Sequence, residues 1–127
     1  MPAYDARHFQ PPAPAARVVL RNPDTGASCT DVLMLLDTGA DVSLVPRTAL
    51  DSLGITPTSQ RFYEPVGFTG DPTLSPVVLL EMRFCEKTFR GQFLPVDQPW
   101  GILGRNVLNA VSLLLDGPRA VWAEHRA

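Results

Sequence analysis

The sequence predicts an all-β domain, a barrel or sandwich carrying one or two short helices. Three observations predict it. Thirteen prolines and nine glycines cut the 127 residues into short pieces. The pieces between them are rich in β-branched and large apolar residues, and each is bounded by turn residues. No apolar 3.6-residue period persists long enough for a sizeable internal helix.

Taken in order, residues 1–10 form a short polar head. Pro11 to Ala16 (PPAPAA) reads as an extended, polyproline-like arm. Val18 to Leu20 is a strand that runs into the turn cluster Asn22-Pro23-Asp24-Thr25-Gly26. Val32 to Leu36 is continuously apolar, as a strand buried on both faces would be. Val42 to Val45 is another short strand. Pro46 to Gly54 opens on proline and stops on glycine, the asymmetry of a helix, with Leu50 and Leu53 facing inward. Arg61 to Val66, Val77 to Phe84 and Phe89 to Val96 read as strands. Arg105 to Ala110 reads as a second helix with Val107 and Leu108 buried. Strands at Val111 to Leu115 and Ala120 to Ala123 flank an Asp116-Gly117-Pro118 turn. We therefore expect an arm over residues 1–16, one domain over 17–123 and a tail over 124–127.

Composition excludes several classes of function. A formal net charge of -2 argues against a phosphate-backbone binder, so no nucleic-acid partner is expected. Cys29 and Cys85 are too few for a disulfide scaffold or a thiolate metal site, and read as small core residues. His8 and His125 sit at opposite ends without ligand spacing, so neither metal nor cofactor is expected. No run approaches the ~20 apolar residues of a membrane span, and the N-terminus lacks a signal pattern. The expected address is cytoplasmic. Arginine strongly outnumbers lysine, with Lys87 alone, and alanine and proline abound. That bias suggests a GC-rich, bacterial genome, and the chain from Met1 onward reads as a free-standing protein.

The chemistry concentrates in Leu35-Leu36-Asp37-Thr38-Gly39-Ala40-Asp41. Here a carboxylate directly follows an apolar strand. A buried charge is costly unless it is paired or hydrogen-bonded. Gly39 allows a tight turn whose N–H can approach the carboxylate, and Thr38 supplies a hydroxyl for cross-linking backbone. A strand that delivers an acid into a tight, hydrogen-bonded loop suits an aspartyl catalyst.

This loop resembles that of the retropepsin-like aspartic proteases, the retroviral-type clan AA family. A glycine-bounded tip, Val66-Gly67-Phe68-Thr69-Gly70, stands where that family has its flap. Gly101-Ile102-Leu103-Gly104-Arg105-Asn106-Val107-Leu108 is similar to its apolar-apolar-glycine motif and following helix. The likeness spans roughly residues 17 to 123. A second Asp-Thr-Gly, Asp24 to Gly26, follows Asn22-Pro23 rather than an apolar strand and reads as a hairpin turn.

The resemblance implies a single-lobe acid-protease β-barrel completed by homodimerisation, with one catalytic Asp37 from each subunit. It implies that Thr38, Gly39 and Ala40 form the active-site loop, with Thr38 reaching the partner's loop. Leu35, Gly39, Asp41, the flap residues Gly67, Phe68, Thr69 and Gly70, Trp100 and Ile102 would contact a peptide substrate. For Trp100 a core or lid role fits as well. Leu103, Gly104 and Arg105 would support the loop, with Arg105 meeting Asp41. The implied activity is aspartic endopeptidase. The alternative is a peptide-binding or dimerisation module of the same fold with little catalysis.

Overall fold

The computed structural model describes residues 1–63 and 72–126, with side chains described outside 59–63 and 72–75. Its strands are β1 (Ala15–Arg21), β2 (Ser28–Leu36), β3 (Leu44–Pro46), β4 (Thr58–Tyr63), β5 (Pro72–Phe84), β6 (Lys87–Val96), β7 (Gly101–Leu103), β8 (Leu113–Asp116) and β9 (Val121–Glu124). Two short helices, α1 (Arg47–Leu53) and α2 (Arg105–Leu108), interrupt them. The expectation of an all-β barrel with short helices holds.

One sheet runs in the order β1-β2-β7-β3-β6-β5-β4, and a β1–β5 pairing closes it into a barrel with β4 outside the ring. β8 and β9 form a separate hairpin. Closure leaves the six ring strands no free edge to manage. The interior is filled by Val18, Leu20, Met34, Val45, Leu80, Met82 and Leu103, each at most 2 % exposed. Alternation along the strands explains the choice: Val18 and Leu20 point inward while Arg17 and Arg21 point to solvent.

α1 closes one side of the barrel. Pro46 precedes its first turn and Gly54 ends it with φ of 67°, a left-handed cap that suits glycine. Leu50 and Leu53 are buried on its inner face as predicted. Burying each is worth ~1.5–3 kcal/mol. α2 is shorter than predicted and ends at Leu108, though Val107 and Leu108 are buried.

Several elements differ from expectation. Val42 and Ser43 precede β3 instead of opening it. Gly101 to Leu103, read as a motif, is itself a strand, parallel to β2 with Leu35 opposite Ile102. β5 begins five residues before the Val77 start that the apolar pattern marks. The predicted strand ending at Val66 falls partly outside the described residues. Val32 to Leu36 is not buried throughout: Val32, Leu33 and Met34 are, whereas Leu35 and Leu36 are half-buried. The outer face of β2 is open near its C-terminal end. Residues 11–16 do not form one extended arm, because Ala15 and Ala16 already belong to β1 and Ala13 bridges back to Asp5. The head is joined to the body, with the Tyr4 N–H donating to Ala120 O at 2.7 Å and the Trp122 N–H to Pro2 O at 2.9 Å.

Candidate active site

Asp37 emerges where β2 ends. Its backbone N–H donates to Leu103 O on β7 at 3.0 Å, which extends the parallel pairing by one residue. Its carbonyl accepts from Ala40 N–H at 3.2 Å, closing the turn. Its carboxylate accepts the Gly39 N–H at 2.9 Å. A Cβ at position 39 would stand 3.1 Å from that same oxygen, so a side chain there would press on the carboxylate. The tight Asp-Thr-Gly turn therefore has a steric reason as well as a hydrogen-bonding one.

The loop is caged by the residues that follow β7. Arg105 N–H donates to Ala40 O at 2.8 Å and Asn106 N–H to Asp41 O at 3.3 Å. The Arg105 guanidinium donates to Thr38 O at 2.7 Å and makes an ion pair with the Asp41 carboxylate. One side chain thus ties both ends of the Thr38–Asp41 segment. Gly104 permits this approach: a Cβ there would collide with the backbone of Val42 and Ala40.

Sequence reading missed one member of the cage. Ser43 is fully buried, and its hydroxyl accepts the Gly104 N–H at 2.9 Å while donating to Asn106 Oδ1 at 2.8 Å. A buried hydroxyl needs partners, and here they join the loop to the start of α2. The available signal was a serine set between Val42 and Leu44, an isolated polar residue in an apolar run.

The remaining predicted positions divide. Leu35 and Ile102 lie side by side on β2 and β7, both half-buried, on the outer face opposite Met34 and Leu103. Trp100 lies just before β7 and is also half-buried. It packs edge-on against Phe9, ring centroids 4.7 Å apart, a contact that the sequence did not suggest. Thr38 and Gly39 are exposed, and Asp37 is half-buried in the single chain rather than sealed. Gly67, Phe68, Thr69 and Gly70 lie outside the described residues. Asp24 to Gly26 is an exposed turn between β1 and β2, with Asp24 N–H donating to Asn22 Oδ1. Among the described residues no three His, Cys, Asp or Glu side chains group as metal ligands would. No helix among them is long and apolar enough to cross a membrane.

The sequence matches no family model and no curated protein. Among solved structures the chain is similar to the EIAV protease complexed with the inhibitor HBY-793. The TM-score is 0.51 at 22% identity, covering 77% of this chain and 86% of that one. The fold is retropepsin-like. At that identity the likeness establishes architecture alone. The second triplet, Asp24 to Gly26, bonds only within its own turn and plays no part in the cage.

Proposed function

We propose that this chain is one half of an aspartic peptidase, which hydrolyses peptide bonds with a water held between the Asp37 carboxylates of two subunits. The observation that carries the reading is the cage. An apolar strand delivers Asp37 into a turn fixed by Leu103 O, Gly39 N–H and the Arg105 bridge, while Thr38 and Gly39 face outward. One chain contains one such loop, and the chemistry requires two acids.

The mechanism follows from electrostatics. Two carboxylates in contact cannot both ionise readily, so the pair shares a proton. The ionised member accepts a proton from the water as it adds to the peptide carbonyl. The protonated member donates to the carbonyl oxygen. The tetrahedral intermediate collapses when the leaving amine is protonated. No covalent intermediate forms, and the titration belongs to the pair. The half-buried Leu35 and Ile102 beside the loop, and Trp100 beyond them, favour apolar or aromatic residues flanking the cut.

Asp37→Asn against Asp24→Asn is the test. Asn nearly matches Asp in shape but is no general base. Asp37→Asn should keep the fold and lower peptide hydrolysis by roughly a hundredfold or more. Asp24→Asn should leave it unchanged, since turns accept either residue. Hydrolysis that survives Asp37→Asn refutes the reading. Retained peptide binding without turnover in the native protein points instead to the binding module.

A further inference from the structure

A cavity of about 740 Å³ lies between the N-terminal head and the barrel, apart from the Asp37 loop. Residues 1–7 form one wall. The start of β1, Leu33 of β2, the end of β5 and β9 form the other. None of Asp37, Thr38, Gly39, Trp100 or Ile102 lines it. Backbone pairing fixes the head in place: Ala3 bridges Val121, and the Asp5 N–H donates to Ala13 O at 2.8 Å. The volume falls within the ~300–1,000 Å³ of small-molecule sites.

Its floor is apolar, with Ala15, Leu33, Phe84 and Trp122 each at most 8% exposed. Its charged groups are unequally matched. The two acids are committed: Asp5 accepts the Arg7 and His8 N–H groups at 2.8 and 2.7 Å, and Glu124 pairs with Arg126 at 3.0 Å. The two guanidiniums are not. Arg7 and Arg17 both line the cavity and are exposed, which puts them at its mouth. Among the described residues neither makes an ion pair. Arg17 gives one N–H to Asp31 O at 3.3 Å and keeps its charge unmet.

We propose that this cavity binds an amphipathic carboxylate, an aliphatic acid of medium chain length, with its tail on the apolar floor and its carboxylate at Arg7 and Arg17. A guanidinium offers N–H donors in a planar fork that matches a carboxylate. A neutral apolar molecule would leave both cations unmet, and a small inorganic anion would leave the floor wet. One ligand with an apolar body and an anionic end satisfies both. A folded partner would have to displace residues 1–7 to reach the floor, whereas a small acid enters beside them. Cys85 reports occupancy, because it lines the cavity and is half-buried. Burial first, and then the Glu124 carboxylate, push its thiol up, so it is a quiet thiol at neutral pH and not a reacting group. Cys29 is also half-buried but lines a separate depression beside Asp31 and Ala49, which makes it an internal control.

Thiol protection tests the site without reading peptide hydrolysis, so it stands or falls apart from the peptidase reading. Alkylation of Cys85 and Cys29 by N-ethylmaleimide is followed by mass spectrometry in the presence of monomeric decanoate, decanol or acetate. Saturating decanoate should slow alkylation of Cys85 roughly tenfold or more and leave that of Cys29 unchanged. Decanol, which has the tail without the charge, should need a roughly tenfold higher concentration for the same protection. Acetate, which has the charge without the tail, should protect neither cysteine. Arg7→Gln with Arg17→Gln, shown to be folded by circular dichroism, should raise the half-protecting concentration of decanoate roughly tenfold or more and leave that of decanol unchanged. Decanoate that leaves Cys85 unprotected, or that slows both cysteines alike, overturns the proposal. So does decanol that protects as well as decanoate, or a folded arginine variant that holds decanoate as the parent does. If a capped apolar peptide protects Cys85 and decanoate does not, the cavity takes a polypeptide segment and the acid assignment is wrong.

Discussion

Replacing Arg105 probes the cage most directly. Its guanidinium holds Thr38 O at 2.7 Å and pairs with Asp41, whose side chain is 22% exposed against 40% for Arg105. A deeply buried pair broken on one side would cost ~3–5 kcal/mol. Water reaches this one, which moves the Coulombic part toward the ~0–1 kcal/mol of surface pairs. The hydrogen bond to Thr38 O and the charge-assisted contact with Asp41 keep the total near ~2 kcal/mol. For a domain of this size that lowers the thermal midpoint by about 6–8 °C. The functional loss should be larger in proportion, because Thr38 and Asp37 are adjacent. A shift of the loop by a fraction of an ångström misaligns the acid, costing roughly ten- to a hundredfold in kcat. Arg105→Lys keeps the charge but cannot bridge two acceptors in the same plane, and should fall between. The assay is calorimetry and peptide hydrolysis on Arg105→Ala, Arg105→Lys and Asp41→Asn. An Arg105→Ala protein that melts within about 1 °C of the parent and turns over normally would refute the bridging role.

Three further outcomes are expected. Ser43→Ala leaves the Gly104 N–H and the Asn106 amide oxygen without their buried partner, which should cost ~1–3 kcal/mol in urea unfolding. Phe9→Ala removes the edge contact on Trp100 and should change tryptophan fluorescence and weaken selection for large apolar residues beside the cut; unchanged spectra and unchanged cleavage ratios would separate Phe9 from the cleft. Asp5, whose carboxylate accepts the N–H groups of His8 and Arg7 and faces the His8 ring, is held below its ordinary value of 3.8, chiefly by the His8 backbone hydrogen bond. A lowered folded value contributes stability above the ordinary value and loses it as pH falls through the folded one. Asp5→Asn keeps an acceptor but loses the charge, so it should slightly lower the protection of the Arg7 and His8 amides at neutral pH, as hydrogen exchange would read, with the difference from the parent vanishing in strong acid.

What was legible in the sequence was whatever local chemistry dictates. Pro46 and Gly54 bracket α1 because their backbone preferences act within one turn. Asp37-Thr38-Gly39 stood out because an acid after an apolar strand demands a special loop. The Asp24 triplet was separable for the converse reason, since Asn22-Pro23 makes a turn on its own. Contacts made by tertiary folding were not legible. Phe9 meets Trp100 across 91 positions, and nothing in either neighbourhood marks the pairing. Gly101 to Leu103 was too short to register as a strand, and it becomes one only because Met34 to Leu36 lies alongside. The half-exposure of Leu35 and Leu36 was hidden in the same way. A continuous apolar run looks alike whether both faces meet protein or one meets a cleft.

The polar cage itself argues for a working loop. Ser43 is fully buried on the way into β3, where an apolar residue of similar size would pack without needing partners. Its hydroxyl joins no two strands of the barrel, which are already closed by backbone pairing. What it joins is Gly104 and Asn106, the two residues flanking Arg105, and Arg105 in turn holds Thr38 and Asp41. Each bond thus acts on the loop from behind. Among the described residues the half-buried Asp37 carboxylate accepts one hydrogen bond, from the Gly39 N–H, and none from these side chains. A loop kept for shape alone would be expected to satisfy its acid fully or to replace it. Rigid support behind a partly unsatisfied carboxylate is the arrangement that a reacting acid needs, because the fixed dipoles are in place before the substrate arrives.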